Sequence, residues 1–525
     1  MTQRRPAITR RDFIRAAGGA AIALPIADLL FPGEAAAQAP KKGGKLVYTS
    51  GSPNVQHKTL ESARHPYFGI EIRTGNTYNQ LTWVNEKLEV EPELATKWEA
   101  VSADQKTWEV EIRQGVRFHD GRDMRVEDVV ASYDLHKDPK IGTSFARDML
   151  DKVERAGPTR VRFHLKSPNS EFAWWLAEYR QAIMPADAPE KMGYAGIGTG
   201  PFKFAKIDPQ RRVIYEANTN YWREGPYLEQ LECVMQKGMD PLSAYISGQF
   251  DLVASLDPSL VAQLGARPDT RIDVADGGDQ FLVVLPKHEG SPFLDKRIRQ
   301  ALTLAIDRDA VVRIVYGGKA GWAGNDTHMT RANEEFLPRT PVRDVPKARQ
   351  LLAEAGHPNG IKLPTLYYAP MFTEVGRVFQ VVAESVKEAG ITLPIEERPM
   401  SGYRQWRVED KEKGLRHRFA MGPSGPRNAG ANMFRMARPT YNESGYWHPS
   451  ARGDEYIALY AKAMQTGDRA ARRAIYHEMQ RIVQDEVPAL FITGRREIMA
   501  MRTSVRGLKA HPQHWSFGFD KVWRG

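Results

Sequence analysis

The chain has 525 residues, of which 42% are hydrophobic and 26% are charged, a composition typical of a globular protein with three or four domains of about 150 residues each. The formal net charge is +10, but the 74 basic residues are interspersed with 64 acidic ones, and no dense Lys/Arg run outside the N-terminus favours a nucleic-acid partner. A single cysteine, Cys233, excludes an internal disulfide and is predicted to be a small core residue.

The N-terminus has the order of an export signal. Arg10 and Arg11 precede an apolar stretch over residues 16–31, and small residues follow up to Ala37. The apolar stretch is interrupted and is shorter than the ~20 residues that a membrane-spanning helix needs, so a permanent anchor is not favoured. The paired arginines resemble the twin-arginine signal, which implies recognition by the twin-arginine export machinery, cleavage after Ala37 and a mature protein free in the periplasm.

The next part of the chain predicts a small unit of strands and one helix. A first strand is predicted at residues 46–48. The stretches TWEVEI (107–112) and RVRFHL (160–165) alternate apolar and polar residues, which is typical of antiparallel strands with one buried face. Between them, VEDVVASYDLH (126–136) carries its apolar residues at helical spacing.

Towards the C-terminal half, helical and strand patterns alternate. The stretch LDKRIRQALTLAIDRDAVVRIVYGG (294–318) predicts a helix with Asp295 as its N-cap and Gly317 as its stop. Three further helices are predicted in DVPKARQLLAEAG, GRVFQVVAESVKEAG and DRAARRAIYHEMQRIVQDEVP, and strands are predicted at FLVVL, KLPTLYY and PALFIT. This alternation predicts an α/β domain with a largely buried sheet.

Enzymes with a strong local signature are not favoured. The sequence has no G-x-S-x-G elbow, no glycine-rich phosphate loop and no H-E-x-x-H motif, and its 13 histidines share no ligand spacing. His119 stands next to Asp120, as in an acid–base pair, but GVRFHDG also predicts an Asp-Gly turn at a strand end. No catalytic residue, cofactor or metal is expected.

Residues 98–135, WEAVSADQKTWEVEIRQGVRFHDGRDMRVEDVVASYDL, closely resemble the signature of the family 5 extracellular solute-binding proteins of ABC importers. That family includes the periplasmic dipeptide-, oligopeptide- and nickel-binding proteins. The resemblance implies that the FHDG turn is structural and lies away from the ligand, so His119 is expected to be a turn residue. Six further stretches recur in the family in this order: GTGPFKF, NTNYW, SGQFDLV, PFLDKRIRQALTLAIDRDAVV, DVPKARQLLAEAGHPNG and AIYHEMQRIVQDEVPALF.

The resemblance also implies an α/β, two-lobed periplasmic binding protein fold of type II, cluster C, with an additional small α+β domain. A solute would be held between two lobes that close about a hinge, at chain crossings near Leu285 and Leu490. The expected division is a signal peptide over 1–37, lobe I over 38–80, 197–285 and 490–525, the extra domain over 81–196, and lobe II over 286–489.

The function that the resemblance implies is that of a periplasmic substrate-binding protein. It would deliver a solute, peptide-like or another small polar or anionic compound, to the membrane permease subunits of an ABC importer, and it is expected to be a monomer and not an enzyme. Two alternatives stay open. One is a periplasmic enzyme exported in folded form, and the other is a sensory protein that presents its ligand to a membrane receptor.

One stretch departs from the peptide-binding members of the family. In those members the segment corresponding to GPSGPRNAGANMF (422–434) usually carries an aspartate that pairs with the ligand's α-amino group, whereas here it has no acidic residue and contains Arg427. This predicts a ligand with an anionic or strongly hydrogen-bond-accepting group, such as a sugar acid or an opine-like compound. Segments that line the cleft in relatives contribute the candidate ligand-binding residues Tyr48, Tyr368, Met421, Arg427, Asn428, Tyr441 and Trp447.

Overall fold

A computed structural model of the chain describes residues 39–49, 76–138, 144–187, 196–208, 211–234, 239–339, 343–408, 418–437, 446–447, 451–513, 516 and 518–525. Residues 1–39 and 40–525 group separately, and every described strand and helix belongs to the second unit. The predicted signal motif, Arg10 and Arg11, and the candidate ligand residue Tyr441 lie outside the described residues.

The strands, in chain order, are β1 (Lys45–Thr49), β2 (Thr82–Val84), β3 (Val90–Pro92), β4 (Ala95–Ala100), β5 (Thr107–Ile112), β6 (Leu150–Arg155), β7 (Arg160–Leu165), β8 (Phe202–Asp208), β9 (Arg212–Ala217), β10 (Gln230–Val234), β11 (Leu252–Val253), β12 (Thr270–Ala275), β13 (Gln280–Val284), β14 (Gly321–Ala323), β15 (Ile361–Lys362), β16 (Leu366–Tyr368), β17 (Ile391–Thr392), β18 (Ile395–Glu397), β19 (Met421–Ser424), β20 (Ala489–Arg495), β21 (Glu497–Arg502), β22 (Val505–Arg506) and β23 (Trp523–Arg524).

The α-helices are α1 (Val126–Lys137), α2 (Ser144–Met149), α3 (Phe172–Trp175), α4 (Pro241–Ile246), α5 (Val261–Gly265), α6 (Lys296–Ala305), α7 (Arg308–Tyr316), α8 (Val345–Glu354), α9 (Val375–Ser385), α10 (Tyr403–Val408), α11 (Ala429–Ala437), α12 (Ala451–Gln465) and α13 (Arg469–Glu486).

Two separate sheets form the largest parts of the described chain, one mixed and one antiparallel. A seven-stranded sheet has the order β12-β21-β11-β1-β10-β9-β8, in which β1 runs parallel to both β10 and β11. A four-stranded antiparallel sheet has the order β14-β20-β13-β19, so β19 is an edge strand. Cys233 lies fully buried in β10, as predicted.

The two sheets are joined by two short connections within the described chain. Residues 276–279 link β12 to β13, and Arg496 alone links β20 to β21. The strand β13 falls within the range predicted for lobe I, and it pairs with β19 and β20 of the four-stranded sheet.

A third sheet, β4-β5-β7-β6, is antiparallel and packs with α1 and α2. Together with α3 it is called the α+β subdomain below. The predicted alternation is confirmed, because Val110, Val161 and Phe163 are buried and the intervening residues are not fully buried. The predicted helix between these strands is confirmed as α1.

The helix predicted over residues 294–318 is two helices, α6 and α7. Asp295 caps α6 by accepting from Arg297 N, and Gly317 ends α7 in the left-handed region, as predicted. The prediction of one continuous helix is wrong because Asp307 starts a new helix, with its carboxylate accepting from Ala310 N at 2.7 Å.

Candidate functional site

The segment that carries Arg427 follows the edge strand β19 directly. Met421 is fully buried at the start of β19, where it pairs with Val283, and its carbonyl oxygen accepts from the Tyr403 hydroxyl at 2.8 Å. Residues 425–428, called the 425–428 loop below, then connect β19 to α11. The loop is thus anchored at one end by a strand and at the other by a helix.

Side chains from distant parts of the chain hold the carbonyl groups of this loop. Gln513 donates its amide to the carbonyl oxygen of Pro426 at 3.0 Å. The carbonyl oxygen of Arg427 accepts from the side-chain amides of Asn333 at 2.7 Å and Asn432 at 2.9 Å. The backbone of the loop is therefore fixed by donors that belong to the protein itself.

The two polar candidates of the loop have different surroundings. Asn428 caps α11, because its side-chain oxygen accepts from Ala431 N at 3.1 Å. Arg427 is half-buried, and its Nη1 donates to the carbonyl oxygen of Gly425 at 3.2 Å. Burial, together with Arg435 and Arg427, holds the pKa of the His328 imidazole well below its ordinary value. Two arginines therefore contribute positive charge at His328, beside the loop.

Tyr368 lies in β16, which is brought next to β19 by the pairing of Tyr367 with Ala420. Its ring stacks on Phe379 with a centroid distance of 5.5 Å and is largely buried. Burial raises the pKa of its hydroxyl, and the charge of Glu397 raises it further. The structure thus brings Tyr368 and Met421 onto neighbouring strands beside the loop.

Tyr48 and Trp447 occupy core positions. Tyr48, in β1, is fully buried, accepts from the Asn76 side chain at 3.3 Å and packs on Phe519 with a centroid distance of 4.8 Å. Trp447 donates its indole N–H to the Met436 carbonyl at 3.0 Å, and its ring lies 5.1 Å from that of Tyr456. Both side chains therefore pack in the core.

Sequence patterns did not predict the charged cluster beside the second connection between the sheets. Arg495 is buried at the end of β20, with Nε 3.1 Å from Glu374, Nη1 3.4 Å from Glu497, and its guanidinium 4.2 Å from the centre of the Phe372 ring. Burial lowers the pKa of Arg495, but Glu497, Glu374 and Asp279 outweigh burial and raise it. One sign of this cluster is present in the sequence, which is the charged residue Arg495 at the end of the mainly apolar stretch of β20.

A cavity of about 1160 Å³ borders the loop on the side of the α+β subdomain. Asn428 and Ala429 line it, together with residues 85–91 and 331–335. The start of α11 is therefore next to open space.

His119 is a turn residue, as predicted. The turn is closed by Gly121 N donating to the Phe118 carbonyl at 2.9 Å. The imidazole accepts from Gly198 N at Nδ1 (3.3 Å), and Nε2 lies 3.0 Å from the Gly200 carbonyl, which fits a neutral ring protonated at Nε2. Burial lowers the pKa of His119. The side chain therefore ties the turn to residues 198–200.

Replacing His119 by alanine is expected to leave solute affinity unchanged. The Gly198 amide loses the imidazole acceptor, and the Gly200 carbonyl keeps only the Asn218 side chain as a donor, so the free energy of unfolding should fall by about 1–3 kcal/mol. Urea unfolding and a binding titration on the same preparation check both parts. A loss of affinity of about tenfold or more in a folded variant would return His119 to the binding site.

Neither a membrane-spanning helix nor a cluster of metal ligands occurs over the described ranges. No helix there combines the length and the apolar character that crossing a bilayer requires. In the same residues, no group of three or more His, Cys, Asp or Glu side chains is arranged to hold a metal ion.

Comparison with known proteins identifies the family. The model of the bacterial extracellular solute-binding proteins, family 5, matches residues 89–434, well over half of the chain. The chain belongs to this family.

Among the relatives of this family 5 protein is the dipeptide-binding protein of Escherichia coli (strain K12). It is 26% identical over 522 residues, which cover 90% of this chain and 96% of the relative. A solved structure of the periplasmic binding protein DppA from Helicobacter pylori with the peptide STSA is 21% identical, with a TM-score of 0.76 and coverage of 92% and 98%. The binding protein AgaA from A. tumefaciens R10, solved with agropinic acid, is 22% identical, with a TM-score of 0.73 and coverage of 92% and 99%.

The comparisons confirm the expected fold and the expected function. The fold is the α/β, two-lobed, type II fold of periplasmic binding proteins. The protein is a substrate-binding protein of the kind that serves ABC importers, and its family consists of solute-binding proteins rather than enzymes.

Proposed function

We propose that this protein is not an enzyme and that, in the periplasm, it captures a solute with an anionic or strongly hydrogen-bond-accepting group and delivers it to the permease subunits of an ABC importer. The observation that carries this proposal is the charge of the 425–428 loop. Between Met421 and Phe434 the chain has no acidic residue, and the loop contains Arg427. A guanidinium pairs with carboxylates and cannot pair with an ammonium group.

The hydrogen bonds of the loop support the same preference. A ligand ammonium group needs acceptors, but the carbonyl oxygen of Arg427 already accepts from two side chains of the protein, those of Asn333 and Asn432. The acidic side chain bound next to the loop, Glu171, is already occupied by the Gly430 amide and the Tyr476 hydroxyl. The loop therefore favours an acceptor-rich solute.

Relatives of the protein have bound both kinds of ligand. One relative is a dipeptide-binding protein, a second was solved with the peptide STSA, and a third was solved with agropinic acid. We place the present protein with the second kind, because its loop lacks the carboxylate that a free α-amino group requires. An ordinary free-amino peptide is the competing ligand class.

We also propose that the solute lies between two lobes divided near the predicted hinge at Leu285 and Leu490, and that the lobes close around it. The pair of short connections between the two large sheets supports a hinge of this kind. In this arrangement Arg427, Asn428, Tyr368 and Met421 belong to one wall of the site. Tyr48 and Trp447 support the walls from the core, and Tyr441 stays a candidate.

A thermal-shift panel on the mature wild-type protein tests the class of solute. Because a ligand that binds only the folded state stabilises it by RT ln(1 + [L]/Kd), the midpoint of unfolding ranks the solutes by affinity. We expect galacturonate or agropinic acid to raise the midpoint and dialanine to leave it unchanged. A rise with dialanine alone would reject the proposed class.

An experiment in cells distinguishes delivery to an importer from presentation to a receptor. A strain that lacks the protein is expected to lose uptake of the radiolabelled solute that scored in the panel, and wild-type protein is expected to restore it. Normal uptake in the deletion strain, with loss of a chemotactic response, would favour the sensory alternative.

The protein is also proposed to be a monomer, and it should sediment as one in analytical ultracentrifugation.

Export is proposed to depend on Arg10 and Arg11, with cleavage after Ala37. The twin-arginine receptor reads the paired guanidinium groups, so replacing both residues by lysine is expected to abolish the appearance of mature protein in the periplasmic fraction. Replacing Arg4 and Arg5, which lie outside the motif, is the matched control and should preserve export. Normal periplasmic levels of the double-lysine variant would show that a different route is used.

A further inference from the structure

The α+β subdomain contacts the helices that follow the 425–428 loop. Ser170 donates from its backbone N–H to the Met464 carbonyl at 2.8 Å, and from its hydroxyl to the Ala463 carbonyl at 3.2 Å. The Trp175 ring lies 6.2 Å from that of Phe434, which belongs to α11. The subdomain is therefore in contact with both α11 and α12.

The next residue, Glu171, reaches the first turn of α11. Its Oε2 accepts from the Gly430 amide at 2.9 Å and from the Tyr476 hydroxyl at 2.8 Å, and its Oε1 lies 3.6 Å from Nε of Arg472. Its side chain is only 12% exposed. A Cβ at position 430 would overlap Oε2, so this approach requires glycine. Burial raises the pKa of Glu171, whereas Arg472, Tyr476 and the Gly430 amide oppose that shift.

The first turn of a helix presents N–H groups that have no partner within the helix and the positive end of its dipole. In α11, the side chain of Asn428 accepts a hydrogen bond from the N–H of Ala431, and Glu171 accepts one from the N–H of Gly430. A carboxylate is the favoured group at this end of a helix. Arg427 directly precedes the capping residue, so the start of α11 determines where its backbone lies.

We infer that Glu171 is a positioning residue for solute binding: from the α+β subdomain, its carboxylate fixes the start of α11 and thereby the 425–428 loop with Arg427. The role of the loop in binding rests on the proposed function. The contact between Glu171 and α11 does not, because it exists in the protein without solute. It gives the extra subdomain a part in the binding site although the subdomain does not have to touch the solute.

Hydrogen–deuterium exchange in the solute-free protein tests the contact. In Glu171→Gln, exchange of the amides of residues 429–432 is expected to rise about tenfold or more, because a charge-assisted hydrogen bond is lost. Ser170→Ala is the matched control, since it removes a hydrogen bond at the same interface that ends on α12 and not on α11. It should leave that exchange unchanged. Equal exchange in Glu171→Gln and wild type, or an equal rise in both variants, would overturn the inference.

A second variant probes the same contact from the other side. Gly430→Ala displaces the carboxylate by overlap, so its effect and that of Glu171→Gln should be strongly non-additive in a double-mutant cycle. The affinity for galacturonate, measured by calorimetry, should fall in both single variants and stay unchanged in Ser170→Ala. Additive effects, or unchanged affinity with wild type still binding galacturonate, would overturn the positioning role. If wild type binds only dialanine, the proposed solute class fails, and the exchange data still decide the role of Glu171.

Discussion

Replacing Arg427 by alanine is expected to weaken binding of galacturonate or agropinic acid by about tenfold or more, because a hydrogen bond to a charged group contributes about 1.5–3 kcal/mol. Arg427→Lys should give an intermediate affinity, since an ammonium keeps the charge but loses the planar pair of donors. The side chain is half-buried in the loop and the loop backbone is held by other residues, so the fold should survive the change. Isothermal titration calorimetry gives the affinities.

The matched control for this substitution is Arg155→Ala in the α+β subdomain. Arg155 is exposed and pairs with Glu127 at 2.8 Å, away from the 425–428 loop. Its removal should leave the affinity for the anionic probe unchanged. If Arg427→Ala binds that probe as tightly as wild type, Arg427 does not contact the solute and does not belong to the site.

Replacing Asp326 by asparagine is expected to lower the free energy of unfolding by about 3–5 kcal/mol, the usual cost of breaking a buried ion pair. Asp326 is 0% exposed and Arg308 is 1% exposed, with Nη2 of Arg308 2.7 Å from the carboxylate. Arg339 forms a second ion pair with the same carboxylate, and Phe491 N donates to it at 3.2 Å. Burial raises the pKa of Asp326, but Arg308 and Arg339 outweigh burial and hold it below its ordinary value.

The large cost follows because two arginines would lose their counter-ion while Arg308 stays buried. Urea unfolding of both proteins gives the difference in free energy. Glu127→Gln, at an ion pair whose side chains are 56% and 53% exposed, is the control and should cost about 1 kcal/mol or less. A loss of about 1 kcal/mol or less for Asp326→Asn would show that Arg308 finds other acceptors, such as the Thr303 carbonyl at 2.8 Å.

Local patterns were enough to predict several of the strands and several of the longer helices. Thr107–Ile112 and Arg160–Leu165 alternate because one face of each strand is buried, and the observed strands have these bounds. Asp344 is the first residue of DVPKARQLLAEAG, where a helix was predicted, and its carboxylate accepts from Lys347 N at 2.8 Å. Such signals depend only on residues that are close together in the chain, so a single sequence is enough to recognise them.

Contacts between distant residues could not be predicted in this way. Two of the three amide donors on the 425–428 loop come from Asn333 and Gln513, more than 80 residues away in either direction. The acceptor at the start of α11 comes from Glu171, 259 residues before Gly430. The resemblance to the family indicated which segment carries the site, whereas the side chains that position that segment required the structure.

Calorimetric titration of the wild-type mature protein with dialanine and with N-acetyl-dialanine tests the proposed preference for an anionic group over a free amine most directly. The two ligands share a carboxylate and a peptide bond, and only dialanine has an ammonium group. The charge of the 425–428 loop predicts that acetylation does not weaken binding, because the loop has no acidic residue to pair with the ammonium group. Binding of dialanine about tenfold or more tightly than its acetylated form would contradict the account, since it would require a carboxylate that recognises the free amine.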